Sequence, residues 1–162
     1  MIARTALAGA ALALALAGCR AEPAANASQP PVGTTAASGL DLVPLTIDSA
    51  GRSHRFTVEV ARTSDQQAQG LMFRERLGAN EGMIFPFPYP RPASFWMRNT
   101  LIPLDMVFIR EDGTIARIAA NTVPHSEEPV GSGEPVIAVL ELRGGRASEL
   151  GIREGDRVRW AG

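Results

Sequence analysis

The chain has 162 residues, of which 45% are hydrophobic, and a formal net charge of -1, which bounds it at one globular domain with an appendage. All 16 basic residues are arginine; this excludes lysine Schiff-base chemistry and a lysine-dependent phosphate loop, and the near-neutral balance without a basic run argues against nucleic acid as a partner. A single cysteine, Cys19, excludes an intramolecular disulfide and a cysteine-built metal site or thiol nucleophile in the folded part.

The chain opens with MIARTALAGAALALALAGC. A basic start ending at Arg4 is followed by an Ala/Leu run too short to span a bilayer as a permanent helix, the layout of a secretory signal. Leu16-Ala17-Gly18-Cys19 resembles a bacterial lipobox, in which small residues precede the cut and the thiol takes the lipid. Residues 1–18 are therefore predicted to be a lipoprotein signal peptide and Cys19 the lipidated residue, with the membrane as its partner through several acyl chains. Arg20, where aspartate would mark retention in the inner membrane, points to the outer membrane facing the periplasm. From the cysteine to Gly39 the chain is rich in Ala, Pro, Ser, Thr and Gly. Too poor in apolar residues to order itself, 19–39 reads as a flexible linker.

Residues 40–162 hold the core. Leu42 to Ile47 and Arg55 to Ala61 read as a hairpin turned at Gly51, with Phe56, Val58 and Val60 alternating with polar residues. In TSDQQAQGLMFRERLG, Ser64 and Gln67 have capping-box spacing, and Ala68, Leu71 and Met72 share a helical face. Strand signals return at Met83 to Phe85. They resume after the proline-punctuated loop PFPYPRP (86–92) at Ser94 to Arg98 and Leu104 to Ile109. Glu111-Asp112-Gly113 is a tight turn into Thr114 to Ile118. Val136 to Leu142 is a core strand ended by Arg143-Gly144-Gly145, Ala147 to Leu150 forms a helical turn, and Gly155-Asp156 leads into a last strand, Arg157 to Trp160. The fold class is mainly β: a compact antiparallel sandwich or small barrel with one or two short helices.

Several of these segments together resemble the bacterial and archaeal family known as domain of unknown function number 192. They are Gly70-Leu71-Met72-Phe73-Arg74, Gly82-Met83-Ile84-Phe85, FWMRNTLIPLDMVFI at 95–109 with Asp112-Gly113, Val139-Leu140-Glu141-Leu142 with Gly145, Gly151-Ile152 and Gly155-Asp156. The resemblance runs from about residue 43 to 160. It implies a β-rich domain, often exported or membrane-attached, and it carries no established activity, so no catalytic residue transfers. Where many members have lysine after Trp-Met, this chain has Arg98.

The stretch FWMRNTLIPLDM (95–106) sets polar groups in an apolar context. Alternation puts Trp96 and Arg98 on one face and Phe95 and Met97 on the other, with Asp105, Val107 and Ile109 opposite Leu104, Met106 and Phe108. An antiparallel hairpin of 94–98 with 104–109 would make Arg98 and Asp105 cross-strand partners beside Trp96. Arg74 is a second candidate partner for Asp105, and Asn99 suits the connection. An ionised Asp105 among aliphatic residues needs such partners.

Two roles are open for this face: fixing register in the core, or binding a small polar ligand, glycan or envelope protein through Trp96, Arg98, Asn99, Asp105 and Arg74. The aromatics of PFPYPRP, Phe87 and Tyr89, could extend it as a platform. A hydrolase-like alternative would use Asp105 with His125 or Glu141, with Ser94 or Ser126 as nucleophile, although no Gly-x-Ser-x-Gly elbow occurs. A copper-binding alternative rests on Met72, Met83, Met97 and Met106 with His54 and His125; their strand positions suit core packing equally. No cofactor or metal set stands at ligand spacing.

Overall fold

The β-sheet is founded on a two-residue turn. Strands β2 (Asp41–Ser49) and β3 (Arg52–Val60) pair with Ser49 opposite Arg52. The intervening Ala50 and Gly51 both have positive φ, 47° and 76°, the backbone of a type I′ turn that matches strand twist. The hairpin at Gly51 is thus as the sequence predicts. The computed structural model describes residues 34–161. The signal peptide, Cys19 and most of the linker lie outside them. The end of the predicted linker joins the sheet, where Thr34–Thr35 (β1) pairs with Leu42 and Asp41 of β2.

Helix α1 (Ser64–Gln69) is capped one residue before the predicted cap, Ser64. Thr63 Oγ1 accepts from the Gln66 amide at 3.2 Å, and Gln66 Oε1 accepts from the Thr63 amide at 3.0 Å, so Thr63 and Gln66 close the capping box. Ala68 is exposed and the helix buries no residue. Its anchor is polar: Gln67 Nε2 donates to the Ala61 and Pro86 carbonyls, each at 3.1 Å.

The connection through α1 returns the chain parallel to β3, the one parallel pairing in the sheet. Strand β4 (Glu81–Phe95) then runs antiparallel to β7 (Val130–Arg143). At their start only glycine fits position 82, because a Cβ there would stand 2.6 Å from the Glu141 carbonyl. The proline run does not separate two strands as predicted. It is an excursion within β4: Pro86 faces Ala138 and Arg91 faces Val136, so four residues bulge against one. Beyond Ile84, β3 no longer pairs with β4; that edge is free, and prolines sit there without losing a ladder bond.

Strand β5 (Leu104–Ile109) is buried at every residue and lies between β7 and β6 (Ile115–Thr122). The predicted hairpin of 94–98 with β5 is therefore not formed: both hydrogen-bonding edges of β5 are taken, and the chain turns away after Phe95. The turn at Glu111-Asp112-Gly113 is present, with Asp112 Oδ1 accepting from the Thr114 amide and hydroxyl at 2.9 and 2.7 Å. After α2 (Arg146–Leu150), β8 (Arg157–Trp160) pairs with β2. It also meets the start of β6 through a single bridge, Thr114 to Arg157. The result is a mainly β, curled sheet in the order β1-β2-β3-β4-β7-β5-β6 that forms a half-barrel with two short helices.

Alternation along β4, β5 and β7 divides the core. Ile84, Val107, Ile109, Ala138, Leu140 and Leu142 face the inside of the curl with Leu45, Ile47 and Val58. Met83, Phe85, Met106, Phe108 and Val139 face the other way, where Leu71, Leu77 and Met97 cover them. Each fully buried large apolar side chain contributes roughly 1.5–3 kcal/mol, so both layers matter to stability.

Asp105, fully buried on the inner face, pairs with neither arginine. Its Oδ1 accepts from the amides of Asn121 (2.8 Å) and Gly145 (2.9 Å), and its Oδ2 from that of Ala147 (2.8 Å). It thus caps from a distance a helix whose own N-cap, Gly145, has no side chain to do so. The approach requires Gly144, where a Cβ would meet Asn121 Oδ1 at 2.7 Å and Pro103 Cβ at 2.8 Å. The partners of Asp105 are backbone amides rather than a guanidinium. Asp105→Ala strands these donors and should cost on the order of 3–5 kcal/mol, read as a lower urea midpoint, with Asp105→Asn losing less because it keeps one acceptor oxygen. An unchanged midpoint in the alanine variant would refute this role.

Candidate functional site

The outward face of β7 carries a buried acid, Glu141. Its register partners are Met83 on β4 and Met106 on β5, so it stands in a row of methionines where an apolar residue would pack. The side chain is 5% exposed, and that remnant opens into a cleft. Among the described residues no hydrogen bond reaches its carboxyl. Burial in these surroundings pushes the carboxyl up to about 8, so at neutral pH it is a protonated acid, with one donor and free acceptor capacity.

The cleft over Glu141 has a volume of about 40 Å³, space for one or two waters or a group of similar size. One wall is Phe85 and Phe95, packed edge to face with centroids 5.1 Å apart. The turn after α1 forms another part of the lining. Gly70 there has φ 47°, and a Cβ on it would press against Phe85 Cζ at 3.4 Å. Leu71 and Met72 continue this part, and Thr100, Trp96 and Arg98 complete the lining.

Trp96 and Arg98 share a face, as alternation predicts, and the guanidinium lies 5.4 Å from the indole centroid. Arg98 approaches Glu127 at 3.9 Å, an exposed and therefore weak pair. Trp96 is 48% exposed at the mouth.

Three strained loops hold this mouth. Phe73, Asn99 and His125 all have positive φ, 62°, 55° and 61°. The Phe73 amide donates to the Asn99 carbonyl at 2.9 Å, the His125 amide to the Thr100 carbonyl at 3.1 Å, and the Met97 amide to the Ser126 carbonyl at 2.8 Å. Non-glycine residues held in the left-handed region need such over-determination, and they cluster at functional sites.

The predicted site residues therefore divide. Trp96 and Arg98 line the cleft, and Asn99 shapes its mouth through its backbone, with its side-chain amide 3.9 Å from Met72 Sδ. Arg74 pairs with Glu59 at 2.7 Å, and Ser38 donates to the same carboxylate at 2.5 Å. Arg74 borders a neighbouring groove of about 450 Å³ that shares Gln69, Gly70 and Met72 with the cleft. Asp105 is on the other side of the sheet. Asp105 faces Leu142 and Met106 faces Glu141 in the β5–β7 register, so the acid pair Asp105 with Glu141 cannot meet. His125 is exposed and lines no part of the cleft, and Ser126 Oγ is occupied by the Glu128 amide at 3.2 Å.

Of the methionines, Met83, Met97 and Met106 are fully buried in the outer layer. Among the described residues no group of three His, Cys, Asp or Glu is placed to hold a metal. Gly70, Phe85, Phe95 and Thr100 carry no sequence signal of a site. The one signal available is Glu141 itself, a charge inside the apolar run Val-Leu-Glu-Leu.

The family model described as Uncharacterized ACR, domain of unknown function number 192, matches residues 45–160. The chain belongs to this family. Two solved structures are similar across this family domain. One is a protein of unknown function from Novosphingobium aromaticivorans DSM 12444, with 49% identity, a TM-score of 0.77, and coverage of 86% of this chain and 99% of that one. The other is from Sinorhizobium meliloti 1021 and is named as a candidate transcription regulator; it has 45% identity, a TM-score of 0.73, and coverage of 75% and 95%. None of the curated proteins matches the chain significantly.

The buried acid has a thermodynamic signature. Between its ordinary value of 4.5 and about 8, the folded state holds a proton that the unfolded chain has released, so folding stability falls as pH rises. The contribution is full below about 4.5 and is lost by the time pH has passed about 8. Glu141→Gln removes this dependence. The difference in unfolding free energy between variant and wild type should grow in the variant's favour by on the order of a few kcal/mol from acid to alkaline pH. Thermal melts at matched pH read this directly, and parallel curves for the two proteins would show that Glu141 does not titrate in this way.

Proposed function

We propose that this member of the domain of unknown function 192 family is an exported, lipid-anchored accessory module that binds the end of a polar ligand, most simply a saccharide, in the cleft above Glu141. The observation that carries the reading is the unpartnered carboxyl at the cleft floor beneath an exposed tryptophan. A buried polar group without a partner costs about 1–3 kcal/mol, and a guest that supplies the missing hydrogen bonds recovers that energy on binding. Trp96 offers a flat apolar face to a sugar ring, and the groove beside Gln69, Gly70 and Met72 gives a longer ligand room to continue.

Binding is favoured over hydrolysis by what lines the cleft. Acid–base cleavage of a glycoside uses two carboxyl groups, and among the lining residues Glu141 is the only acid and none is histidine. A DNA-binding reading, which the name of the Sinorhizobium protein would suggest, is disfavoured because the chain's net charge is -1 and half of the described arginines are paired with acids, among them Arg62 with Asp41, Arg110 with Glu134, Arg143 and Arg146 with Glu149, and Arg159 with Asp48.

Support for the anchor is the Leu-Ala-Gly-Cys sequence alone. Cys19→Ser should move the protein from the membrane to the soluble fraction of the envelope, and membrane attachment that survives the change would refute lipidation. For the cleft, mass spectrometry of material that co-purifies with the wild type should find a small molecule or glycan fragment that Trp96→Ala and Glu141→Leu both lose while still folded by circular dichroism. The same bound material on all three proteins would remove the cleft as the site.

A further inference from the structure

We infer, resting on the saccharide-binding reading above, that the group admitted to the cleft is a carboxylate, so that the ligand is an acidic sugar of the uronic acid class. The lining residues include donors without partners among the described residues, and Glu141 is the one acid among them. The carboxyl of Glu141 is unbonded among the described residues and only 5% exposed. The backbone amide of Leu71, a cleft-lining residue that is 2% exposed, likewise has no partner among the described residues. The guanidinium of Arg98 stands at the mouth and is held only by its exposed contact with Glu127 at 3.9 Å. Of the two lining glutamines, Gln67 is already committed through its nitrogen to two carbonyls, and Gln69 makes no side-chain hydrogen bond among the described residues.

Size and charge narrow the guest further. About 40 Å³ admits a carboxylate and excludes a sugar ring, so the ring stays outside against Trp96. An ammonium group would meet Arg98 at the entrance. A carboxylate accepts charge-assisted hydrogen bonds, roughly twice as strong as those a neutral hydroxyl would make with the same donors.

The same geometry sets a pH dependence. The elements around Glu141 contribute Met83 and Phe85 from β4, Met106 from β5, the Gly70–Met72 turn, and α1 with Gln67 and Gln69. The 95–100 segment adds Arg98, the one other charged group lining the cleft, and the nearest further acid in the row, Glu59, is paired with Arg74. Glu141 is therefore the group whose titration decides affinity. Protonated, it donates to the guest carboxylate; ionised, it repels it, so binding is lost as pH rises through about 8.

The test is ¹H–¹⁵N NMR titration of the full chain in detergent micelles, with galacturonate and galactose as probes, at about pH 6.5 and about pH 9.5, chosen to bracket the titration. At the lower pH galacturonate should shift the Leu71 amide and the Trp96 indole, with an affinity about tenfold or more above that of galactose; at the higher pH this affinity should fall about tenfold or more. Glu141→Gln keeps an N–H donor that does not ionise and should bind galacturonate alike at both pH values. Equal affinity for the two sugars would leave the saccharide cleft standing and overturn the carboxylate assignment. A pH loss that persists in Glu141→Gln would overturn the role of Glu141, and no perturbation at Leu71 and Trp96 by either sugar would overturn the saccharide reading as well.

Discussion

The fold depends on one carboxylate meeting three backbone amides. Asp105 sits in a strand paired along both edges, and it reaches the end of β6, the Gly144-Gly145 turn and the first turn of α2 at once. These are the places where the half-barrel would otherwise leave amide donors unmet inside the protein. The same bonds pin register. In the β5–β7 pairing Asp105 faces Leu142, and Met106 faces Glu141. Because side chains alternate with a period of two, a slip of β5 by one residue would exchange its faces. It would turn Asp105 away from its amides and Met106 away from Glu141. The interaction that looks purely structural thus holds one side of the apolar row around the outer acid.

Two acids in neighbouring strands meet opposite surroundings. Asp105 is fully buried, and its oxygens accept from three backbone amides. Glu141 is buried with no hydrogen bond to its carboxyl among the described residues, so burial disfavours its charged form. Its flanking methionines, Met83 and Met106, are soft fillers that accommodate a carboxyl without solvating it. These methionines, read from sequence alone as a possible soft-metal set, act in the described structure as the apolar frame that keeps Glu141 neutral.

Much of this was legible from the chain itself, and the remainder was hidden for identifiable reasons. Strand positions followed from alternation, and the turns at Gly51 and Asp112-Gly113 from residues that tolerate positive φ. Faces were legible too, which is why Trp96 and Arg98 were rightly placed together. Partners were not. A buried aspartate advertises a need for donors, and nothing in local sequence distinguishes a guanidinium across a hairpin from amides 16 to 42 residues away. Sequence proximity made the hairpin of 94–98 with 104–109 attractive, yet strand edges are allotted by the whole sheet, and β7 arrives late in the chain to claim β5. The proline run misled in the other direction. Proline breaks a ladder only where a partner stands on its N–H side, and the early end of β3 leaves that side of β4 empty. The Leu71 amide has no sequence signal at all, since its lack of a partner comes from where α1 stops.

Stability considerations alone would place leucine or methionine at position 141, as the row Met83, Glu141, Met106 suggests. A carboxyl there costs desolvation and returns no hydrogen bond within the described residues, and replacing an isolated buried polar group by an apolar one of similar volume is commonly neutral or stabilising. Strain in the surrounding loops points the same way: Phe73, Asn99 and His125 each hold a conformation that costs on the order of 1–3 kcal/mol, and all three brace the mouth of this one cleft rather than the core. Natural folds place such local costs where a ligand or a reaction recovers them. A neutral acid at the floor, an aromatic and a guanidinium at the entrance, and strained loops fixing both form a set that packing does not require and that the proposed guest would use.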